Sequence, residues 1–168
     1  MRVIAGTAKH DKYMRGDSMP NTFFICSRRI MQLYNSLFRS ILKKHQLTQL
    51  KMDILLFLAN DPSSDTAHDI VEKCYLAKSN ISVSIDALVR CGLLSRTRLD
   101  NNRKIIHLRP TDQAASIIAE GCTVQKDFDQ IIFKGFSDQE LKQFSHFMEC
   151  INRNVDEALA HSNPLSLE

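Results

Sequence analysis

Residues 78–109 of this 168-residue chain read KSNISVSIDALVRCGLLSRTRLDNNRKIIHLR, and this stretch decides the fold. Its first part has apolar residues at Ile81, Ile85 and Leu88, the spacing of one buried face of an α-helix. Gly92 follows, and glycine is the usual residue just beyond a helix end. Two runs of β-type sequence then flank an Asp/Asn turn. The stretch therefore predicts a helix followed directly by a two-stranded hairpin.

Two further helices are predicted before this stretch. Thr48 is placed to cap one that stops before Pro62, and Thr66 with Asp69 forms a capping box for a short one. The resulting order, three helices and then a hairpin, is that of a winged helix-turn-helix. In that arrangement a short helix supports a second one whose exposed face enters the major groove of DNA.

Longer helices are predicted on both sides of this unit. Residues 23–42 have helical spacing with an apolar face wide enough to bury on two sides, which indicates a partner subunit. A fifth helix is expected to open at residues 110–112 and to stop at Gly135. Ser137 and Glu140 form a capping box for a sixth helix, whose apolar positions advance by three and four, close to a coiled-coil seam. The predicted fold is mainly α with a small β-hairpin wing.

The domain boundaries follow from this order. Residues 1–19 have no periodicity and are expected to be a flexible extension. Residues 47–110 are expected to form the winged helix-turn-helix, and residues 20–46 with 111–161 a helical dimerisation region. With 43% apolar and 24% charged residues, the chain has the composition of an ordinary globular protein of one domain.

The net charge of +3 is too small to indicate nucleic-acid binding, so the distribution of charge decides. Five cations lie within fourteen residues of the hairpin, opposed only by Asp100: Arg96, Arg98, Arg103, Lys104 and Arg109. The preceding helix carries polar side chains that allow close approach to DNA: Lys78, Ser79, Asn80, Ser82 and Ser84. One of Ser79, Asn80 and Ser82 is also expected to cap the helix. Asp86 is expected not to contact DNA but either to orient a neighbouring arginine or to cap locally.

Residues 81–96, ISVSIDALVRCGLLSR, resemble the recognition helix and following strand of the MarR family of winged-helix regulators. In that family an apolar run with Ser or Thr leads to Asp-x-Leu and then to Gly-Leu-apolar-x-Arg. Residues 100–111 are similar to the family's wing and its exit, and the resemblance extends over about residues 23–159. Val83 stands where members often carry arginine.

The resemblance implies a homodimeric DNA-binding transcription regulator, expected to be a repressor. Helix 78–91 would enter the major groove of a palindromic double-stranded operator, and wing 94–109 would lie on the backbone or minor groove. The first, fifth and sixth helices would form the dimer. A small aromatic effector would bind between the dimer helices and the winged domain, near Phe38, Leu42 and Phe128. The residues expected at DNA are Lys78, Ser79, Asn80, Ser82, Val83, Arg90, Arg96, Arg98, Asn102, Arg103 and Lys104.

The residues leave open one rival from another class, a helical dimer whose winged helix binds a protein partner rather than DNA. The arginine-rich hairpin argues against it, because protein interfaces favour aromatic anchors. The sequence contains no recognisable catalytic arrangement and no glycine-rich phosphate loop. Its histidines and cysteines do not have metal-ligand spacing. The expectation is therefore a protein that is not an enzyme and has no cofactor or metal.

The five cysteines form no CxxC pair, which predicts reduced thiols and a cytoplasmic protein. No apolar run has the length of a membrane helix. Cys26 lies near the start of the first helix, where the helix dipole favours a thiolate. Peroxide-sensing MarR relatives place a reactive cysteine in a comparable region, so a redox role is one interpretation of Cys26. A buried structural cysteine is the favoured one, and the other four are expected in the core or an interface.

Overall fold

The structure, a computed structural model, describes residues 19–74, 77–99 and 102–161. Most of the extension expected at residues 1–19 therefore lies outside the described residues. The predicted order of helices and hairpin is confirmed. The elements are α1 (Met19–His45), α2 (Gln49–Asn60), α3 (Ala67–Cys74), α4 (Lys78–Arg90), β1 (Leu94–Leu99), β2 (Asn102–Pro110), α5 (Ala115–Ile132) and α6 (Asp138–His161).

One hydrophobic core joins the first helices to the hairpin. The helix α2 is its centre, because five of its twelve residues are buried. The apolar face predicted for α4 points into this core: Ile81, Ile85 and Leu88 are at most 2% exposed. From the hairpin, Leu94 and Leu108 are buried in the same cluster. The recognition-type helix and the wing therefore share one packed support, which fixes their relative position.

The ends of the helices follow local chemistry in most places. The hydroxyl of Thr48 accepts a hydrogen bond from the backbone N–H of Lys51 at the start of α2, as predicted. A different outcome is found after the hairpin, where Pro110 is the last residue of β2 and does not open α5. The backbone pairing of Leu94 with Pro110 extends the strand by this residue. The chain then enters α5 through a 3-10 turn, Asp112–Ala114.

The hairpin is antiparallel, with Leu94 opposite Pro110 at its base and Leu99 opposite Asn102 near its tip. The register shifts between Thr97 and Leu99, which is the irregularity of a β-bulge. A β-bridge outside the hairpin pairs Thr66 with His107. The strand β2 is therefore attached on its other edge to the segment that precedes α3.

The chain divides into two compact units, one through Phe128 and one from Asp129. In the second unit the predicted capping box of α6 is confirmed, because the carboxylate of Glu140 accepts from the Ser137 backbone N–H at 2.8 Å. The ring of Phe133 packs edge-on against Phe144, with the centroids 5.6 Å apart. Within the described ranges, no helix is both long and apolar enough to cross a membrane.

Candidate nucleic-acid interface

The outer face of α4 is a polar stripe with one apolar residue in it. Residues 79, 83, 86 and 90 follow one another by four, three and four positions, so they lie on one side of the helix, opposite the buried face. These residues are Ser79, Val83, Asp86 and Arg90, and all four are exposed. Ser82 is exposed beside the stripe, whereas Ser84 is buried on the core side, so its expected approach to DNA is wrong.

The start of α4 has no side-chain cap. The N-cap residue is Ala77, and among the described residues no side-chain cap is found there. The expectation that Ser79, Asn80 or Ser82 caps the helix is therefore wrong. The helix begins two residues earlier than a cap at Ser79 would require, and these three side chains lie inside it. The side chains of Lys78, Ser79 and Asn80 are all exposed at this end.

The end of α4 turns the chain into the wing. Gly92 has a φ of +73°, a conformation that favours glycine. The side-chain oxygen of Gln113 would lie only 2.7 Å from a Cβ atom at this position. The Thr111 hydroxyl donates to the Gly92 carbonyl at 2.6 Å, which ties the exit of the wing to its entry. The direction of the hairpin is thus set immediately after the helix.

The wing presents arginines on its first strand. Arg96 and Arg98 are exposed on β1, two residues apart. The turn between the strands lies outside the described residues, and so do the side chains of Asn102, Arg103 and Lys104, whose backbone belongs to β2. The structure therefore places these three residues near the tip of the wing without describing their side chains.

An ion pair connects the two parts of the interface. The guanidinium of Arg96 donates to the carboxylate of Asp86, so the wing is bonded to the outer face of α4. The prediction that Asp86 orients a neighbouring arginine is confirmed. Both side chains remain partly open to solvent, so the pair contributes mainly geometry and little stability. It holds the guanidinium of Arg96 beside the stripe of α4.

A second contact holds the wing from the other side, and sequence reasoning missed it. The carboxylate of Asp65 lies 2.6 Å from Nδ1 of His107 on β2, with both side chains mostly buried. Its other oxygen is 3.6 Å from Arg109, which is therefore engaged away from the tip. The backbone of Asp65 also accepts from Leu108 N–H at 2.7 Å. Because Asp65 and His107 are 42 positions apart, no local pattern signals this pair.

Comparison with known proteins adds to this geometry. Residues 45–105, which include α2, α3, α4 and β1, match the sequence model of the MarR family. The homoprotocatechuate degradative operon repressor of Escherichia coli is 25% identical over 114 residues, which cover 68% of this chain and 76% of that protein. Over these residues the chain is similar to the MarR family. The proteins of this family to which the chain is similar are DNA-binding transcription regulators of the winged-helix type.

Solved MarR-family structures share the fold. A transcriptional regulator from Listeria monocytogenes, solved with a 26mer DNA, superposes with a TM-score of 0.73 at 17% identity, covering 90% of this chain and 99% of that one. BpsR of Bordetella bronchiseptica, whose DNA binding is regulated by 6-hydroxynicotinic acid, gives a TM-score of 0.60 at 16% identity, covering 78% of this chain and 98% of that one. At these identities the likeness concerns the fold.

The residues expected around an effector pack against one another through an aromatic cluster. Phe38 is fully buried, whereas Leu42 and Phe128 are half-buried. The ring of Tyr34 lies between the two phenylalanines, with centroid distances of 4.7 Å to Phe38 and 5.2 Å to Phe128. Only Leu42 and Phe128 of the expected set are therefore accessible to a ligand without rearrangement.

Next to this aromatic cluster lies a half-buried acid of α2. The Asp53 carboxylate accepts from Gln49 Nε2 at 2.8 Å and from the Tyr34 hydroxyl at 3.2 Å. Burial raises the pKa of Asp53 more than these two hydrogen bonds lower it. The carbonyl oxygen of the Gln49 side chain is buried, and the described residues offer it no hydrogen-bond donor. The cluster is thus polar on one side and aromatic on the other.

The favoured interpretation of Cys26 is wrong for a single chain, because its side chain is exposed on α1. The periodicity of α1 indicated burial, but the surrounding apolar residues of this segment are exposed as well. Cys91 is also exposed, Cys122 and Cys150 are half-buried, and the side chain of Cys74 lies outside the described part. Within the described residues, no group of three or more potential ligands could hold a metal ion.

Proposed function

We propose that this chain is a homodimeric repressor that binds a palindromic double-stranded operator. The helix α4, with residue 91, lies in the major groove, and the wing, residues 94–109, lies on the backbone or minor groove. The observation that carries the proposal is the polar outer stripe of α4 held beside the arginines of β1 by the Asp86–Arg96 pair. The name of the E. coli relative supports repression as the sign of regulation.

The proposed roles follow the chemistry of each side chain. Residues at the start of α4, on its outer face and beside that face contact base edges or nearby phosphates: Lys78, Ser79, Asn80, Ser82, Val83 and Arg90. Residues of the wing contact phosphates or the minor groove: Arg96, Arg98, Asn102, Arg103 and Lys104. Arginines that neutralise phosphates supply affinity for all sequences, whereas α4 supplies the choice among them.

Exposed apolar surface supports the homodimer. On α1, Phe23, Phe24 and Ile25 are each more than half exposed. On α6, Phe147 is 60% exposed, and four further apolar residues of that helix are exposed with it: Phe144, Ile151, Val155 and Leu159. Apolar patches of this extent mark interaction surfaces. A second copy is the natural occupant, because a palindrome presents two equal half-sites to a two-fold dimer.

Selection of bound sequences from a random DNA pool tests the proposal most directly. We expect a palindrome with half-sites about one helical turn apart. Sedimentation of the protein should show a dimer, and Phe147→Glu should shift it toward the monomer and weaken DNA binding with it. A protein that shows no salt-sensitive mobility shift with any DNA would contradict the regulator and favour the rival that binds a protein partner.

The proposed contact of the wing with DNA phosphates is tested by Arg98→Ala in fluorescence-anisotropy titrations at several salt concentrations. Loss of one phosphate contact per subunit should weaken binding to all sequences and lower the salt slope by about 0.9 per subunit. The matched control is Lys126→Ala, which removes one exposed charge from α5, outside the proposed DNA surface. Equal effects of the two changes would show that only total charge matters and would contradict the assignment.

An aromatic effector is the remaining part of the proposal. The regulation of BpsR by 6-hydroxynicotinic acid and the operon named for the E. coli relative support a small hydroxylated aromatic acid. Such compounds should release the selected DNA, and Phe128→Ala should reduce that release without altering binding in their absence. We propose oxidation of the exposed Cys26 as a second route of regulation, tested by peroxide treatment of the native protein and of Cys26→Ser. We further propose that the chain acts in the cytoplasm, where bacterial-type operators lie, and that it is not an enzyme.

A further inference from the structure

The outer stripe of α4 has an apolar residue at its centre. Val83 is 67% exposed, with Ser79 one turn before it and Asp86 one turn after it. The face on which it lies is opposite the buried residues Ile81 and Ile85. Burial therefore does not explain the apolar side chain at this position, and the core would be unaffected by a smaller one.

The neighbours of Val83 leave it prominent on this face. Ser79 and Ser82 are smaller side chains, and Asp86 is drawn toward the wing by Arg96. The isopropyl group of Val83 is also held in place, because a β-branched side chain in a helix adopts essentially one rotamer. Two methyl groups are thus presented at a fixed position in the middle of the proposed DNA surface.

A valine can recognise only one feature of the major groove. It has no hydrogen-bonding side-chain atoms, so it cannot distinguish the donors and acceptors of the base edges. The C5-methyl group of thymine is the apolar group displayed there, and apolar side chains read it by contact. A cytosine or a purine at the same place offers no methyl group and leaves polar atoms beside the valine without a partner.

We propose that Val83 is a specificity-determining residue that selects a thymine in each half-site through contact with its C5-methyl group. This inference rests on the proposed function, because it places α4 in the major groove. It assigns one base and one chemical group to one side chain. The operator then contains a thymine whose methyl group, rather than its hydrogen-bonding atoms, is read by the protein.

The test starts from the operator obtained by selection with the native protein. Each thymine of a half-site is replaced in turn by deoxyuridine, which removes the methyl group and leaves base pairing intact. We expect one position at which the replacement weakens binding about fourfold per half-site, the value of one buried methyl group. At that position Val83→Ala should bind thymine and uracil operators equally. Val83→Thr, which keeps one methyl group, should show an intermediate ratio.

A matched control is Ser82→Ala, a change on the flank of the same helix that leaves Val83 in place. It should preserve the fourfold ratio even if it weakens binding overall. If uracil is tolerated everywhere, or if Val83→Ala keeps the full ratio, the inference is overturned while the regulator stands. If no DNA is selected at all, the proposed function fails first, and the inference fails with it.

Discussion

The starts of three helices differ in a way that follows their proposed roles. At α3 and α6 the chain closes a capping box, in which Asp69 and Glu140 accept from the backbone N–H of Thr66 and Ser137 at 2.9 and 2.8 Å. The hydroxyls of Thr66 and Ser137 accept in return from the backbone of the acid. At α4 the N-cap is Ala77, and no side chain in the described part of the chain caps the helix.

This difference distinguishes the helices α3 and α6, which support the fold, from α4, the helix proposed to recognise DNA. A capping box satisfies N–H donors within the protein and places a carboxylate at the positive end of the helix. Such a carboxylate would repel the phosphate of a nucleic acid. The first turn of α4 is left without one, and a helix start of this kind attracts anions. The helix proposed to enter DNA thus begins with backbone N–H groups that a phosphate can approach, whereas at α3 and α6 a carboxylate accepts a hydrogen bond at this end.

The largest expected effect comes from giving α4 the missing acid. Ala77→Asp should weaken binding of the selected operator about a hundredfold, or ~1.4 kcal/mol per subunit, because the new carboxylate faces phosphate. Titration by fluorescence anisotropy measures this loss. Thermal unfolding should show no destabilisation, since the acid also caps the helix. Unchanged affinity would mean that the start of α4 does not approach DNA.

Removing an existing cap should affect the stability of the fold instead. Thr66→Ala is expected to lower the free energy of unfolding by about 1–2 kcal/mol, since its box is partly buried, and Ser137→Ala by about 0.5–1 kcal/mol at its exposed site. Urea unfolding at one fixed protein concentration measures both. Thr123→Ala is the control, because among the described residues this hydroxyl donates to the Ala119 carbonyl within α5 and caps no helix. A control loss as large as that of Thr66→Ala would contradict the capping explanation.

Acid should weaken the cap of α3. Hydrogen bonds from Thr66, the largest cause, lower the pKa of Asp69 below its ordinary value. A carboxyl with a lowered pKa in the folded state contributes stability above its unfolded pKa of about 4, and this contribution is lost as the pH falls through the folded pKa. The stability difference between the native protein and Asp69→Asn should therefore shrink below pH ~4. A difference that stays constant from pH 7 to pH ~3 would show that the charge of Asp69 is irrelevant.

The smallest expected effect separates capping from charge at α4. Ala77 already has the extended backbone of an N-cap residue, with φ −60° and ψ 127°. Ala77→Ser should therefore stabilise the protein by about 0.5–1 kcal/mol without a large change in DNA affinity, because a hydroxyl can also donate to a phosphate. Thermal unfolding and the anisotropy titration together measure the two effects. A loss of affinity equal to that of Ala77→Asp would mean that any cap, charged or not, blocks the site.

The features that the sequence predicted depend on residues that lie close together in the sequence. The capping boxes join residues three positions apart, and the buried face of α4 repeats every three or four positions, so both can be read without a fold. The same holds for the glycine that ends α4 and for the hairpin that follows it. The helix order, the wing and the outward position of Val83 were all available from such patterns.

Contacts between distant segments were decided only by tertiary structure. The anchoring of β2 by Asp65 and His107 joins residues 42 positions apart, and the burial of Ser84 beside the exposed Ser82 depends on how α4 is rotated against the core. The exposure of Cys26 and the absence of a serine cap at α4 are of the same kind. Local propensity specifies which segments become helices and strands, but packing of the whole core determines which side of each segment faces outward.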